Sequence, residues 1–308
     1  MITGKIVIGG MAFLMSTALF AQIEEKIEKT FQPIGSDPYL SIKNSFGDIV
    51  IKHHSKEIFD VLVEINAVPS KSKNFEKVKG RVRVDIEEKG NKLELRTINE
   101  LDGISVEELA VDYTIYIPEN TTLEIGNQFG DVWIEGTSSK VNARVEHGSF
   151  FCGDVKGVES IVKVQFGDLT LGEMKEAKLE IHHGELEADR LTNVELDIMF
   201  SDAEIDHASG FLEVYLQHSE LSLGKVESGM KRLEVDGQFS DLSLEEGPWE
   251  DFMMEIEGSF TDFSMPLDIK SLINYESKGM HSREYRINEK ITDKRIIINA
   301  DHSDVDMD

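Results

Sequence analysis

Along most of this chain apolar side chains fall at every second position for a few residues, and each such run ends in the same short corner. Around Phe239, Leu233, Val235 and Gly237 alternate with Glu234, Asp236 and Gln238, and Leu242 and Leu244 resume the apolar series after Ser240-Asp241. Successive side chains of a strand point to opposite faces, so this alternation predicts half-buried strands. Leu123, Ile125, Val132 and Ile134 repeat the arrangement around Phe129, as do Leu212, Val214, Leu216, Leu221 and Leu223 around His218. Each unit reads as two short strands joined at a bend, with the corner Phe or His continuing the inward phase. Helical periodicity is nearly absent.

The corner is a Phe or His, then Gly, Ser or Thr, then usually an acid. Its copies begin at Phe46, Phe129, His147, Phe166, His183, Phe200, His218, Phe239, Phe260 and His302. From Phe129 to Phe260 the spacings are 18, 19, 17, 17, 18, 21 and 21 residues, a fixed period that marks a repeat architecture. A hairpin turn at the corner would need positive φ at the second residue, which suits Gly but not Ser or β-branched Thr261. A bend with ordinary negative φ suits all copies better. The expected fold is therefore an all-β, single-domain parallel β-solenoid (β-helix) with repeats of ~18–21 residues, its coils stacked at ~4.8 Å. Phe and His alternate from Phe129 to Phe239. One unit per coil would place them in a single stack, and two units per coil in separate ladders.

The repeat is interrupted between Phe46 and Phe129, where longer strands flank a hairpin loop at Glu88-Lys89-Gly90-Asn91, and again between Pro266 and Asn299. Both interruptions read as atypical capping strands, which solenoids need because an open coil offers unpaired edges. The expected organisation is a signal peptide over 1–21 and one solenoid domain over 22–308. That domain comprises N-terminal strands and cap (22–122), regular repeats (123–265), and C-terminal strands with a last corner (266–308). Lys5, the apolar run Ile6 to Phe20 and Ala21-Gln22 have the form of a cleaved export signal. No later run is long enough to span a bilayer as a helix.

A net charge of −27 argues against nucleic acid and anionic lipid as partners, and serves solubility as well. With a single Cys, no disulfide can form within the chain.

Leu40-Ser41-Ile42-Lys43-Asn44-Ser45-Phe46-Gly47-Asp48-Ile49-Val50-Ile51, Tyr113 to Pro118, Leu123 to Val132 and the later Ser-Asp corners together resemble the bacterial putative-adhesin β-strand repeat family, a domain of unknown function related to head-domain auto-transporter adhesin modules. The resemblance covers most of the chain beyond residue 21. It implies an exported, non-catalytic β-solenoid, and it carries no catalytic residues to this chain.

Candidate chemistry is sparse. His147, His183 and His218 with nearby carboxylates form a conceivable zinc ladder, and the corner acids Asp131, Asp168, Asp202 and Asp241 a conceivable Ca²⁺ ladder. The plainer reading packs the imidazoles under the corner and has the acids accept backbone N–H groups. No cofactor is expected. His182 and His183 are expected on opposite faces, Trp133 and Trp249 at the surface, and Cys152 as a buried, inert thiol. The functional expectation is an exported, adhesin-like structural or binding protein of the cell envelope, periplasmic, surface-held or secreted, whose partner is an envelope or extracellular protein or a glycan. The alternatives are a carbohydrate-active β-helix enzyme (lyase or hydrolase) and an envelope sensor or signalling accessory.

Overall fold

The computed structural model describes residues 22–71, 74–291 and 293–307, so the expected signal peptide lies outside the described residues. The fold is nearly all β. Two compact units, Met1–Ile134 and Glu135–Asp308, make up the chain.

In the second unit each repeat forms one coil. Strands before the corner stack in parallel on one face, so that Ala143, Val162, Leu179, Leu196, Val214 and Val235 form a continuous buried row. Strands after the corner stack on a second face, where Phe150, Leu169, Leu186, Ala203, Leu221 and Leu242 form another. A third, shorter side runs through Val155, Met174, Leu191, Ala208 and Val226. These rows meet inside the coil, where alternation has directed one apolar residue in every two. The parallel β-solenoid expected from the repeat is the fold observed.

Spatial order leaves chain order near the end of this unit. Arg295–Asp301 pairs in parallel with Arg232–Gln238 on one side and with Met253–Ser259 on the other. Asp304–Met307 likewise lies between Asp241–Glu246 and Asp262–Ser264. Residues 295–307 therefore form a coil wedged between two coils that are neighbours in sequence. The tail reads from sequence as the last coil, and in space it is not. Beyond Met253–Ser259 the ladder turns antiparallel, through Ser282–Ile287 and then Ile273–Lys278, as expected of a capping interruption.

The first unit repeats the device with an early segment. Tyr39–Lys43 lies between Lys92–Asn99 and Thr122–Asn127, and Ile49–His53 between Val106–Ile117 and Val132–Ile134, all in parallel. Antiparallel strands flank this core. Val82–Lys89 forms a hairpin on Lys92–Asn99, turning at Gly90-Asn91 as predicted, and Phe59–Pro69 joins Val106–Ile117 to Ile23–Phe31.

The corners overturn two expectations. In the second unit the aromatic residue itself is left-handed, with φ between +51° and +60° at His147, Phe166, His183, Phe200, His218, Phe239, Phe260 and His302. That single kink breaks the period-two alternation. The ring, expected inward, swings out to solvent, and the following Gly, Ser or Thr turns in. His182 and His183 consequently both lie on the outer side rather than on opposite faces. In the first unit the positive φ sits on Gly47 (+102°) and Gly130 (+126°) instead. An Asn two residues before each ring then supplies the inner hydrogen bonds. Asn44 Nδ2 lies 3.2 Å from the Gly47 carbonyl, and Asn127 Nδ2 2.7 Å from that of Gly130.

Candidate functional site

The feature that sets this surface apart is a column of rings along one corner of the second unit. His147, Phe166, His183, Phe200, His218 and Phe239 stack in turn at centroid distances of 4.9 to 5.1 Å and within 14° of parallel. His302 of the wedged coil follows at 4.9 Å, then Phe260 at 4.7 Å and His281 of the hairpin at 4.6 Å. Phe and His therefore share one stack. Their alternation holds in space where it fails in sequence, because His302 lies between Phe239 and Phe260.

A left-handed non-glycine residue costs about 1–2 kcal/mol, and three interactions offset it here. Each ring stacks on its neighbours, at about 0.5–1.5 kcal/mol per pair. Each ring residue's N–H still reaches the next coil, as in Phe200 N–H to Gln217 O at 2.9 Å and His218 N–H to Gln238 O at 3.0 Å. Beneath the rings, buried hydroxyls form a second ladder. The N–H groups of Ser201, Ser219 and Ser240 donate to the Oγ atoms of Ser219, Ser240 and Ser303 at 3.2, 3.1 and 3.0 Å. Each hydroxyl donates in turn to the carbonyl two residues before it, at 2.8 to 3.0 Å. A test follows at Phe200. Alanine there keeps the left-handed strain and loses both stacks, whereas glycine loses the stacks and relieves the strain. Urea unfolding should rank wild type above F200G, and F200G above F200A by about 1 kcal/mol. The reverse order would mean that the residue is not left-handed.

Stacking leaves only ring edges facing solvent, although Phe166, Phe200, Phe239 and Phe260 are 49–57% exposed. A sugar cannot lie flat on these rings. What the column offers is an apolar ribbed edge, with imidazole nitrogens on every second rung. His147, His183 and His218 are thus not the packed inner rings expected, and a Phe ring stands between each of them and the next. His183 and His218 are separated by Phe200, at 5.1 Å from each, whereas zinc–nitrogen bonds are about 2.0–2.1 Å long.

The corner acids run alongside. Asp168 Oδ1 accepts the Glu185 N–H at 3.1 Å, and Asp241 Oδ1 accepts that of Asp304 at 3.0 Å. Asp202 donates its N–H to the Gly184 carbonyl at 3.3 Å. In the first unit Asp48 Oδ1 accepts the Asp131 N–H at 2.9 Å. The carboxylates of Asp168, Asp241 and Asp48 thus each tie one coil to its neighbour, whereas Asp202 does so through its own main-chain N–H. Among the described residues, no group of three or more His, Cys, Asp or Glu is placed to hold a metal ion.

A groove of about 810 Å³ opens on the outer side of the strands preceding the corner, against the C-terminal hairpin. Asp197, Tyr215, Asp236, Glu257 and Asn299 form its floor, and Arg283 stands on its wall. Asn299 Nδ2 donates to Asp236 Oδ1 at 2.6 Å. The Tyr215 hydroxyl donates to Glu213, which with partial desolvation pushes its pKa up to about 12. Sequence reading missed the groove, because the hairpin and the wedged strand approach it from distant parts of the chain.

Trp249, expected at the surface, is 5% exposed, held inside by the 3-10 turn Trp249–Asp251. Cys152 is buried, and desolvation, with Asp154 nearby, raises its thiol pKa to about 12. The thiolate is the reactive form, so a maleimide should leave the native protein unmodified at pH 8 and label it fully in urea.

Coils of one repeat each, laddered by rings outside and hydroxyls beneath, define a parallel β-solenoid repeat protein. The chain belongs to the Toastrack DUF4097 family, whose model matches residues 39–308. That membership agrees with the resemblance seen in the corner motifs. No curated protein matches the chain. Among solved structures it is similar to a "putative adhesin" of Bacteroides fragilis NCTC 9343, with 11% identity over 92% of this chain and 97% of that one and a TM-score of 0.41. A "putative lipid binding protein" of Parabacteroides distasonis ATCC 8503 shows 10% identity over 92% and 96%, with a TM-score of 0.36. A "putative cell adhesion protein" of Clostridium sporogenes ATCC 15579 shows 11% identity over 92% and 99%, with a TM-score of 0.22. At such identities and scores these likenesses carry no functional weight.

Proposed function

We propose that this protein is an exported, non-catalytic, adhesin-like binding module of the bacterial cell envelope. The observation that carries the reading is the repetition of the outer surface. With one repeat per coil, the same outward positions recur rung after rung, so a partner meets a row of equivalent groups. An enzyme concentrates its chemistry in one asymmetric cleft. Export rests on the form of residues 1–21, and adhesion on kinship with the putative-adhesin repeats. No helix among the described residues is long and apolar enough to cross a membrane. The outer faces are rich in carboxylates, which favours neutral or basic partners, either an extracellular protein or a glycan.

Two measurements test this. Cell fractionation should recover the chain outside the cytoplasm without residues 1–21, and cytoplasmic protein that retains them would overturn export. Full-length protein should bind isolated envelope polysaccharides or proteins in a solid-phase assay without releasing reducing ends or unsaturated sugars. Turnover would make the groove beside Tyr215 a catalytic cleft and sink the non-catalytic reading.

A further inference from the structure

We propose that the place filled by residues 295–307 is a strand-accepting slot, and that two copies of this protein exchange that segment to form a dimer. The inference goes beyond the adhesin-like reading and holds whether or not an external ligand is found.

The two coils that flank the slot are matched to each other. Residues 253–259 follow 232–238 at an offset of 21, the same offset at which residues 211–217 pair directly with 232–238. Left to themselves, these coils would join in register. Leu233 would meet Met254, Val235 would meet Ile256, and the corners Phe239-Ser240-Asp241 and Phe260-Thr261-Asp262 would align. In the structure the segment stands between them, with Ile296 opposite both Leu233 and Met254, and Ile298 opposite both Val235 and Ile256. The same coils thus have two closed arrangements in one register, with the segment in or out. Two discrete packings of this kind make an element bistable.

Chemistry explains why the inserted state prevails. Without the segment Phe239 would face Phe260, and the alternation of rings would fail. With it, His302 stacks on both, at 4.9 and 4.7 Å. Ser303 Oγ accepts the Ser240 N–H at 3.0 Å, and Asp241 Oδ1 accepts the Asp304 N–H at 3.0 Å. Ile296, Ile298, Val305 and Met307 are buried. All these contacts run to the flanking coils. They do not require the segment to belong to the same chain, since only the connection from Ile287 to Arg295 makes it so. A segment from a second copy regains every one of them. Exchange of an identical element is a low-cost route to a dimer, and concentration decides the balance.

The test uses two full-length variants, D236C and N299C, because those side chains touch across the slot on the outer surface. The variants are mixed, held at high concentration and mildly oxidised, then run on a non-reducing gel. Exchange predicts covalent heterodimers in severalfold excess over either homodimer, increasing with time and concentration. The double variant D236C/N299C, oxidised before mixing, should close internally as a monomer and no longer exchange. If the double variant closes while the mixture gives heterodimers no more often than homodimers, the segment stays in its own slot and the proposal is wrong. Failure of the double variant to close would refute the slot geometry itself.

Discussion

Gly184→Ala is expected to destabilise this protein by about 3 kcal/mol or more, although it adds one methyl group at a surface corner. A Cβ at Gly184 would lie 1.9 Å from the Gly167 carbonyl oxygen, and a Cβ at Gly167 would lie 2.0 Å from that of Gly148. Both obstacles are backbone, so no side chain can move to make room. The three glycines form one closely stacked end of the inner column. In space the column continues through Ser201, Ser219, Ser240, Ser303 and Thr261, where hydroxyls take up the hydrogen bonds. Serine at 184 should therefore fare no better than alanine, even though the next coil carries serine at the equivalent corner. Urea unfolding followed by circular dichroism measures both. A loss below about 1 kcal/mol in either variant would mean that the coils have slack the geometry does not show.

Asn44→Ala should cost about 3 kcal/mol. The Asn44 amide nitrogen lies 3.0 to 3.2 Å from the carbonyls of Phe46, Gly47 and Val111, and its oxygen accepts the Thr97 hydroxyl at 2.7 Å. Thr97 is in turn 2.7 Å from the buried Tyr113 hydroxyl. Removing the amide strands part of this network out of reach of water. Asn44→Asp tests the assignment more sharply, because a carboxylate directed at carbonyl oxygens repels them. The expected stability order is wild type, then the alanine variant, then the aspartate variant. Should the aspartate variant match wild type, the amide is not the donor that holds this corner.

Much of this architecture was legible in the sequence, and the failures share one physical origin. Period-two alternation identified the strands, and the repeat of the corner identified the coil. Both hold as long as the backbone stays extended. The left-handed residue adds one position to the count and turns Phe239 outward. The signal was present in parity: Leu233 and Val235 precede the corner on odd numbers, and Leu242 and Leu244 follow it on even ones. Asn44 and Asn127, each two residues before Phe-Gly-Asp, likewise marked a second kind of corner with a different set of inner hydrogen bonds. The wedged coil left a trace too, since Phe239 and Phe260 are successive phenylalanines after a run that alternates from Phe129 to Phe239, and the missing His lies at 302. No local pattern located the groove, whose walls come from residues 197 to 301. Of the carboxylates singled out from sequence, those of Asp168 and Asp241 accept a backbone N–H of the adjoining coil, as the plainer reading expected.

The wedge also changes how this solenoid comes apart. A stack of sequential coils is coupled only to its neighbours, so it can fray from an end one coil at a time. Here residues 253–264 rest on a coil that the chain supplies some forty residues later. They cannot take their final place until residues 295–307 are present, and when those residues leave, the coils on both sides must part from them together before they can close on each other. The stretch from Arg232 onward therefore forms and dissolves as one cooperative block. Its closing step is slow, because it joins strands far apart in sequence.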